Sequence, residues 1–319
     1  MTFSDTGFVK KVKLVTMENE DLTLKELQEE LNRRMAAYNT NSNPEIDNLS
    51  PLDLLQILYN TFGEESPIGF KETVPAQVLG KIPFLNLFEE YLTIIDNAKE
   101  LKLTTRGNLP RKVCLDLYGK GIIKEEFIES GITKLSKEGD SIVLQNLKII
   151  GNLSGITKKR NNKISLTKKG IKLFDSQKRT GLFKEIFTTN YQHFNLGFHD
   201  GYPQEVGIQR TFGYLLYLLL RYGQEKRELN FYANKKLMAF PFELENFEER
   251  WSSREDQYEN CLGVRMFERF LNYYGLIDYH VQRRYKSDRK TELQTTPIFE
   301  SIFKLKTDKF QFKNTGHYA

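Results

Sequence analysis

A run of cations between residues 158 and 172 is the best chemical candidate in this 319-residue sequence, and no aspartate or glutamate interrupts it. Its basic side chains are Lys158, Lys159, Arg160, Lys163, Lys168, Lys169 and Lys172. Side chains of this kind neutralise nucleic-acid phosphates and release their counterions. The alternative is that these lysines are only solvated, because hairpin edges also carry lysine merely to prevent aggregation.

The residues around this run predict a hairpin between two helices. Residues 141–152 are rich in Ile and Leu and predict a helix, which runs through Gly155 into two short strands. Asn161 and Asn162 occupy the turn between the strands, and asparagine tolerates the positive φ of a tight hairpin. This pattern is typical of a winged helix. Roughly 20 residues separate its second and third predicted helices, however, whereas DNA-reading versions use a turn of three or four.

The helix before the hairpin is the candidate for base contact. Its predicted core face is Val143, Leu147 and Ile150, which leaves Asn146 and Lys148 on the exposed side. Asparagine can bind adenine through two hydrogen bonds, but this side offers no arginine for guanine. We therefore expect phosphate contacts rather than tight reading of base sequence.

The second half of the chain repeats the same order of elements. Its predicted elements are a strand at 228–232, helices at 234–242, 251–261 and 263–274, strands at 276–284 and 292–295, and a closing helix at 297–305. Gly155 and Gly275 precede the two hairpins at equivalent positions, and Arg283 and Arg284 are candidate phosphate contacts of the second. The prediction is a mainly α (α+β) fold with tandem winged-helix-like modules and an N-terminal helical segment.

The N-terminal segment predicts two helices. Thr23 and Glu26 form a capping box, and the apolar residues that follow share one helix face. They are Leu24, Leu27, Leu31, Met35 and Tyr38. Ser50, Pro51 and Asp53 then mark the start of a second helix. The predicted domains are 1–75, 76–180 and 181–306, with a tail at 307–319.

Charge is unevenly distributed along the chain. Residues 1–74 carry a net charge of −6, residues 75–180 carry +9 and residues 181–319 carry +2, against +5 for the whole chain. The basic excess therefore lies in the first predicted winged-helix module, and such asymmetry can indicate a nucleic-acid face.

Several function classes find no support. Cys114 and Cys261 lie far apart, and His193, His199 and Asp200 lack a recognised metal-ligand spacing. Nucleophile elbows, dinucleotide-binding glycine motifs and P-loops are missing. The sequence predicts a cytoplasmic protein that is not an enzyme, with no metal, no cofactor and no membrane contact.

Three stretches carry a family resemblance, namely LKLTTRGNLPRKVCLDLY at 101–118, LSPLDLLQILYNTFGEESP at 49–67 and the LTKKG after the hairpin. In these the chain resembles a family of uncharacterised bacterial proteins with an LT-x-x-GNLP signature. The resemblance implies a cytoplasmic protein of helical and winged-helix character, and it implies no reaction and no catalytic residue.

Two function hypotheses follow. In the first, the chain binds DNA or RNA mainly through phosphate contacts, with regulation as one use of that binding. In the second, it is a non-catalytic protein-interaction scaffold, in which the acidic N-terminal helices pack on the basic module or dock a protein partner.

Overall fold

The computed structural model describes residues 23–175, 178–198, 200–204, 207–249, 252–283 and 289–306. The fold is mainly α-helical with small sheets, an α+β arrangement, as the sequence predicts. The predicted tail at 307–319 lies outside the described residues.

The N-terminal helices begin where the capping signals predict. Helix α1 (Leu24–Thr40) has the complete Thr23 and Glu26 capping box, with the Thr23 amide 2.9 Å from Glu26 Oε2. Helix α2 (Pro51–Tyr59) is capped by the Ser50 hydroxyl. Strand β1 (Ile68–Phe70) follows α2.

The first half contains a three-stranded antiparallel sheet between helices. Its elements in chain order are α3 (Ala76–Leu79), α4 (Pro83–Ala98), β2 (Leu101–Lys102), α5 (Arg111–Gly119), α6 (Glu126–Glu129), α7 (Ile142–Leu153), β3 (Thr157–Arg160), β4 (Lys163–Leu166), α8 (Lys168–Leu173) and α9 (Arg179–Gln192). The strand order is β2-β4-β3. Asn161 and Asn162 both have positive φ, so the predicted asparagine turn is confirmed.

The second half follows a similar order of elements as far as the helix after its hairpin. They are α10 (Gly207–Arg210), α11 (Phe212–Tyr222), β5 (Arg227–Glu228), α12 (Leu229–Ala239), α13 (Arg254–Leu262) with a π-helical continuation (Gly263–Leu271), β6 (Ile277–Arg283), β7 (Arg289–Thr295), α14 (Pro297–Ile302) and β8 (Phe303–Leu305). The strand order is β5-β7-β6, which matches the first sheet position by position.

Two predicted boundaries in this half are wrong. The strand expected at 228–232 ends at Glu228, because Leu229, Tyr232 and Ala233 instead form the buried face of α12. The helix expected to continue to 305 ends at Ile302, and β8 pairs with β1, with Phe70 opposite Phe303. The pairing satisfies backbone groups of both strands.

Each hairpin is closed at its base by the same pair of hydrogen bonds. The Thr167 hydroxyl donates to the Gly155 carbonyl at 2.6 Å and also caps α8. The Thr296 hydroxyl donates to the Gly275 carbonyl at 2.7 Å and also caps α14. Both glycines have φ near +65°, a region that favours glycine. The two hairpins thus match in individual hydrogen bonds, which supports the repeat of elements inferred from the sequence.

Aromatic rings form the centre of the core and join the two halves of the described chain. Phe187 lies within about 6 Å, centroid to centroid, of Phe183, Phe270, Tyr274 and Phe303. Offset and edge-on ring pairs of this kind add stability beyond their buried area.

Candidate nucleic-acid interface

The outer face of the first sheet is formed largely by cations. Strand register places Lys102 opposite Lys163, and Lys163 opposite Arg160. Lys158 pairs with Ser165 in the adjacent row, two residues from Arg160 on the same strand. Since partners across a ladder and residues i and i+2 share a face, all four basic side chains project from one side of the sheet. All four are exposed.

This arrangement concentrates positive charge. Like charges directly opposite each other on neighbouring strands destabilise the pairing. Among the described residues, the carboxylate paired with this face is Glu100, whose Oε2 lies 2.5 Å from Lys163 Nζ. The hydrogen bond from Lys163, with the charges of Lys163 and Lys158, lowers the pKa of Glu100. One carboxylate therefore faces four cations, and the face keeps a positive excess.

The hairpin tip is fixed by the turn that contains the GNLP sequence. The Asn162 side-chain amide donates to the Thr104 carbonyl at 2.7 Å, and the Leu103 amide donates to the Asn162 carbonyl at 2.9 Å. Gly107 has φ of +77° and lies beneath the Lys159 side chain, where an added β-carbon would meet Nζ at 2.5 Å. The exposed Lys159 is thus carried by an anchored tip.

The expectation that Asn146 and Lys148 face solvent is wrong. Asn146 is buried at 3% exposure, and its Oδ1 has no hydrogen-bond partner among the described residues. Lys148 is 14% exposed, forms an ion pair with Glu138, and donates to the Gly107 carbonyl at 3.1 Å. Helix α7 contacts α5, α9 and β3, so packing covers the side that its amphipathic pattern leaves open.

Glu138 completes the set of buried polar contacts around Lys148. Its second carboxylate oxygen accepts the Leu109 amide at 2.6 Å, so the carboxylate links α7 to the GNLP turn. The sequence signal for this pair is weak, because Glu138 lies before α7, in a short 3-10 helix (Glu138–Asp140), and resembles any solvated acid. Lys148 therefore serves the fold at this position.

The remaining predicted site residues are dispersed. Lys168 is exposed at the first position of α8, whereas Lys169 forms an ion pair with Glu185 at 2.8 Å. Arg283 is the last residue of strand β6, and its backbone pairs with that of Arg289. The Arg283 side chain is not among those that the structure describes. Arg284 lies outside the described residues altogether. The structure thus brings Lys158, Lys159, Arg160 and Lys163 together on one hairpin.

Lys102 belongs to the basic face but was not singled out from the sequence. It lies 56 positions before Lys158, in a strand of two residues. Only the register between β2 and β4 brings it beside Lys163.

The second sheet has the same topology but carries carboxylates at the positions that correspond to the cations of the first. Register places Glu228 opposite Glu292 and Glu292 opposite His280, with Asp278 in the adjacent row. Lys226 pairs with Glu292 at 2.6 Å. The two sheets therefore differ in side-chain charge at these equivalent positions, Glu228 and Glu292 replacing Lys102 and Lys163.

The described part of the acidic N-terminal segment, from residue 23 on, makes its main contacts away from the basic sheet. Helix α2 packs on α11, and the short 3-10 helix Pro44–Ile46 packs on α12. Asp47 is buried and accepts hydrogen bonds from Arg221, Tyr222 and Lys235. Two cations of the second half, Arg221 and Lys235, therefore offset the charge of Asp47.

We also searched the described residues for a metal site and a membrane span. Within the described ranges, no cluster of three His, Cys, Asp or Glu side chains could hold a metal ion. Asp200 pairs instead with the buried Arg265. Across the same ranges, no helix has the length and apolarity of a membrane span.

Comparisons with known protein families, with characterised proteins and with solved structures find no match to this chain. The resemblance carried by the GNLP sequence therefore stays a prediction.

Proposed function

We propose that this chain binds DNA or RNA mainly through phosphate contacts made by the outer face of the first sheet. The observation that carries this proposal is the row formed by Lys102, Lys163 and Arg160 across three strands, with Lys158 beside it. A bound polyanion relieves the repulsion between these neighbouring cations. Its binding free energy is therefore more favourable than contacts with isolated surface lysines would make it.

The proposal includes a tandem winged-helix arrangement in which the first hairpin is the wing. Its support is the matching order of elements in the two halves, the matching strand orders and the matching hydrogen bonds of Thr167 and Thr296. Lys159 at the wing tip and Lys168 at the start of α8 would extend the contact surface.

Base reading is not part of the proposal. Asn146 is buried and Lys148 is paired with Glu138, so the described part of α7 offers neither side chain to a base edge. Affinity should therefore depend strongly on salt and weakly on nucleotide sequence.

The test is fluorescence anisotropy of a labelled random duplex and a labelled single strand at two or more salt concentrations. The test variant carries K102Q, K158Q, R160Q and K163Q. The control variant carries K71Q, K81Q, K112Q and K134Q, which removes the same charge from exposed lysines in other parts of the chain.

We expect the wild type and the control variant to bind alike. The test variant should lose affinity by a factor on the order of ten or more, and its duplex salt slope should become shallower by up to about 3.6. Equal losses in both variants would assign binding to net charge alone, and no binding by wild type at low salt would overturn the proposal.

The alternative is a protein-interaction scaffold. One observation favours it: helix α1 has an apolar face but no buried residue.

A further inference from the structure

The tip of the first hairpin and the GNLP turn, which is the loop 103–110 between β2 and α5, are joined by hydrogen bonds. The Asn162 side-chain amide donates to the Thr104 carbonyl at 2.7 Å and to the Leu103 carbonyl at 3.3 Å. The Leu103 amide in turn donates to the Asn162 carbonyl at 2.9 Å. Asn162 therefore fixes the hairpin tip to a segment that lies 58 positions earlier in the chain.

The GNLP turn is itself held by helix α7 and by the residues just before that helix. The Lys148 ammonium donates to the Gly107 carbonyl at 3.1 Å, and the Leu109 amide donates to Glu138 Oε2 at 2.6 Å. Glu138 is buried and the Lys148 side chain is 14% exposed, so water competes weakly for these hydrogen bonds. The turn is therefore a fixed support for the hairpin tip.

Arg106 lies at the exposed end of the GNLP turn. A hydrogen bond from the Gly107 amide to the Thr104 carbonyl, at 2.8 Å, closes the turn and places Arg106 at its third position. Gly107 lies against the hairpin tip, because a β-carbon added to it would lie 2.5 Å from Lys159 Nζ and 3.8 Å from Asn162 Oδ1. Within the part of the chain that the structure describes, Arg106 is exposed and belongs to no ion pair. Its guanidinium is therefore available to a ligand.

We propose that Arg106 is a further phosphate-binding residue, and that Asn162 positions it beside the cations of the first hairpin. The inference rests on the proposed function, because it adds a contact to the same basic surface. Arginine binds a phosphate through two parallel hydrogen bonds, whereas lysine acts as a point charge. Because Asn162 joins the turn to the hairpin before the ligand arrives, binding does not have to order two separate segments. Affinity should therefore depend on both residues.

The first test is anisotropy titration of a labelled random duplex with full-length R106Q over a range of salt concentrations. We expect affinity at low salt to fall by about threefold to tenfold, and the salt slope to become shallower by about 0.9, the value for one phosphate. R210Q is the matched control, since Arg210 is exposed on α10 in the second half, and it should leave both quantities unchanged. R106K should restore the slope but only part of the affinity, because it keeps the charge and loses the paired hydrogen bonds.

The second test asks whether Asn162 acts through Arg106. N162G tolerates the φ of 56° at this position and removes the side-chain hydrogen bonds. N161G is the matched control, because Asn161 also has a positive φ and forms no side-chain hydrogen bond within the described chain. N162G should weaken duplex binding by about threefold to tenfold, and N161G should bind like the wild type.

The double variant provides the decisive comparison. If Asn162 acts by holding Arg106 in place, R106Q should weaken binding by less than about twofold when it is added to N162G, because the contact is already lost. A general effect of N162G on the fold would instead give losses that multiply. Circular dichroism should report a folded protein for each variant, because positions 106, 161 and 210 are exposed and position 162 is half-buried.

The inference and the proposed function fail in different ways. A wild type that does not bind at low salt would overturn both. If the variant with four glutamines on the basic face loses affinity while R106Q binds like the wild type, the proposed function stands and the contact by Arg106 is wrong. An N162G variant that binds like the wild type, or losses from N162G and R106Q that multiply, would overturn the positioning role of Asn162.

Discussion

Lys163 Nζ lies 2.5 Å from Glu100 Oε2, so one exposed ion pair lies at the centre of the row of cations on the first sheet. An exposed pair of this kind contributes little to stability, typically about 0 to 1 kcal/mol. Its larger effect is on the local potential, because Glu100 neutralises part of the charge that a phosphate would meet.

The first prediction therefore concerns Glu100. E100Q should tighten nucleic-acid binding by roughly threefold to tenfold, because it removes the opposing charge and leaves Lys163 to the ligand. Anisotropy titration at low salt measures the change. E129Q is the control, since Glu129 forms a comparable exposed pair with Lys124 on a different element. Equal effects of the two changes would contradict a local role for Glu100.

The second prediction concerns the buried pair of Glu138 and Lys148. E138A should lower the free energy of unfolding by about 3 kcal/mol, because it leaves the ammonium of Lys148 and the amide of Leu109 without their shared carboxylate. Urea denaturation measures the loss. E90A is the control, because the Glu90 and Lys120 pair is exposed and should change stability by less than about 1 kcal/mol. A loss below that limit for E138A would contradict the proposed network.

The third prediction concerns the two threonines that close the hairpins. T167V and T296V should each lower the free energy of unfolding by about 1 to 2 kcal/mol. Each change removes a helix cap and a hydrogen bond to a glycine carbonyl while it preserves the shape of the side chain. Thermal and urea unfolding measure both. T105V provides the baseline at an exposed position. If only one of the two variants is destabilised, the equivalence of the two hairpins is wrong in energetic terms.

The fourth prediction concerns pH. Burial raises the pKa of Glu125, which accepts the Ile142 amide at the start of α7. The folded state therefore binds the proton more tightly than the unfolded state, so this stabilisation is complete below the ordinary pKa of 4.5 and is lost as pH rises through the folded-state pKa.

The stability difference between wild type and E125Q should consequently shift against the wild type as pH rises from 4.5 toward neutrality. Urea denaturation of both proteins at several pH values measures it. The difference between two proteins is the useful quantity, because Asp140 and other carboxylates have lowered pKa values and act in the opposite direction. A difference that is constant with pH would contradict the prediction.

Much of the local structure could be predicted because its signals act over three or four residues. The capping box of Thr23 and Glu26 and the Ser50 cap act within the first turn of their helices. The positive φ of Asn161 and Asn162 likewise depends on residue type at the turn itself. Prediction failed where packing decided the outcome, as with the buried Asn146.

The sequence by itself determined the starts of α1 and α2, the two hairpins and the basic character of the first, because backbone propensity and side-chain charge are properties of neighbouring residues. Only the tertiary structure decided which cations share a face. Register between distant strands places Lys102 beside Lys163, and helix packing buries Lys148 against Glu138. The tertiary structure also pairs Ile68 of β1 with Leu305 of β8, because strand pairing depends on proximity in space rather than along the chain.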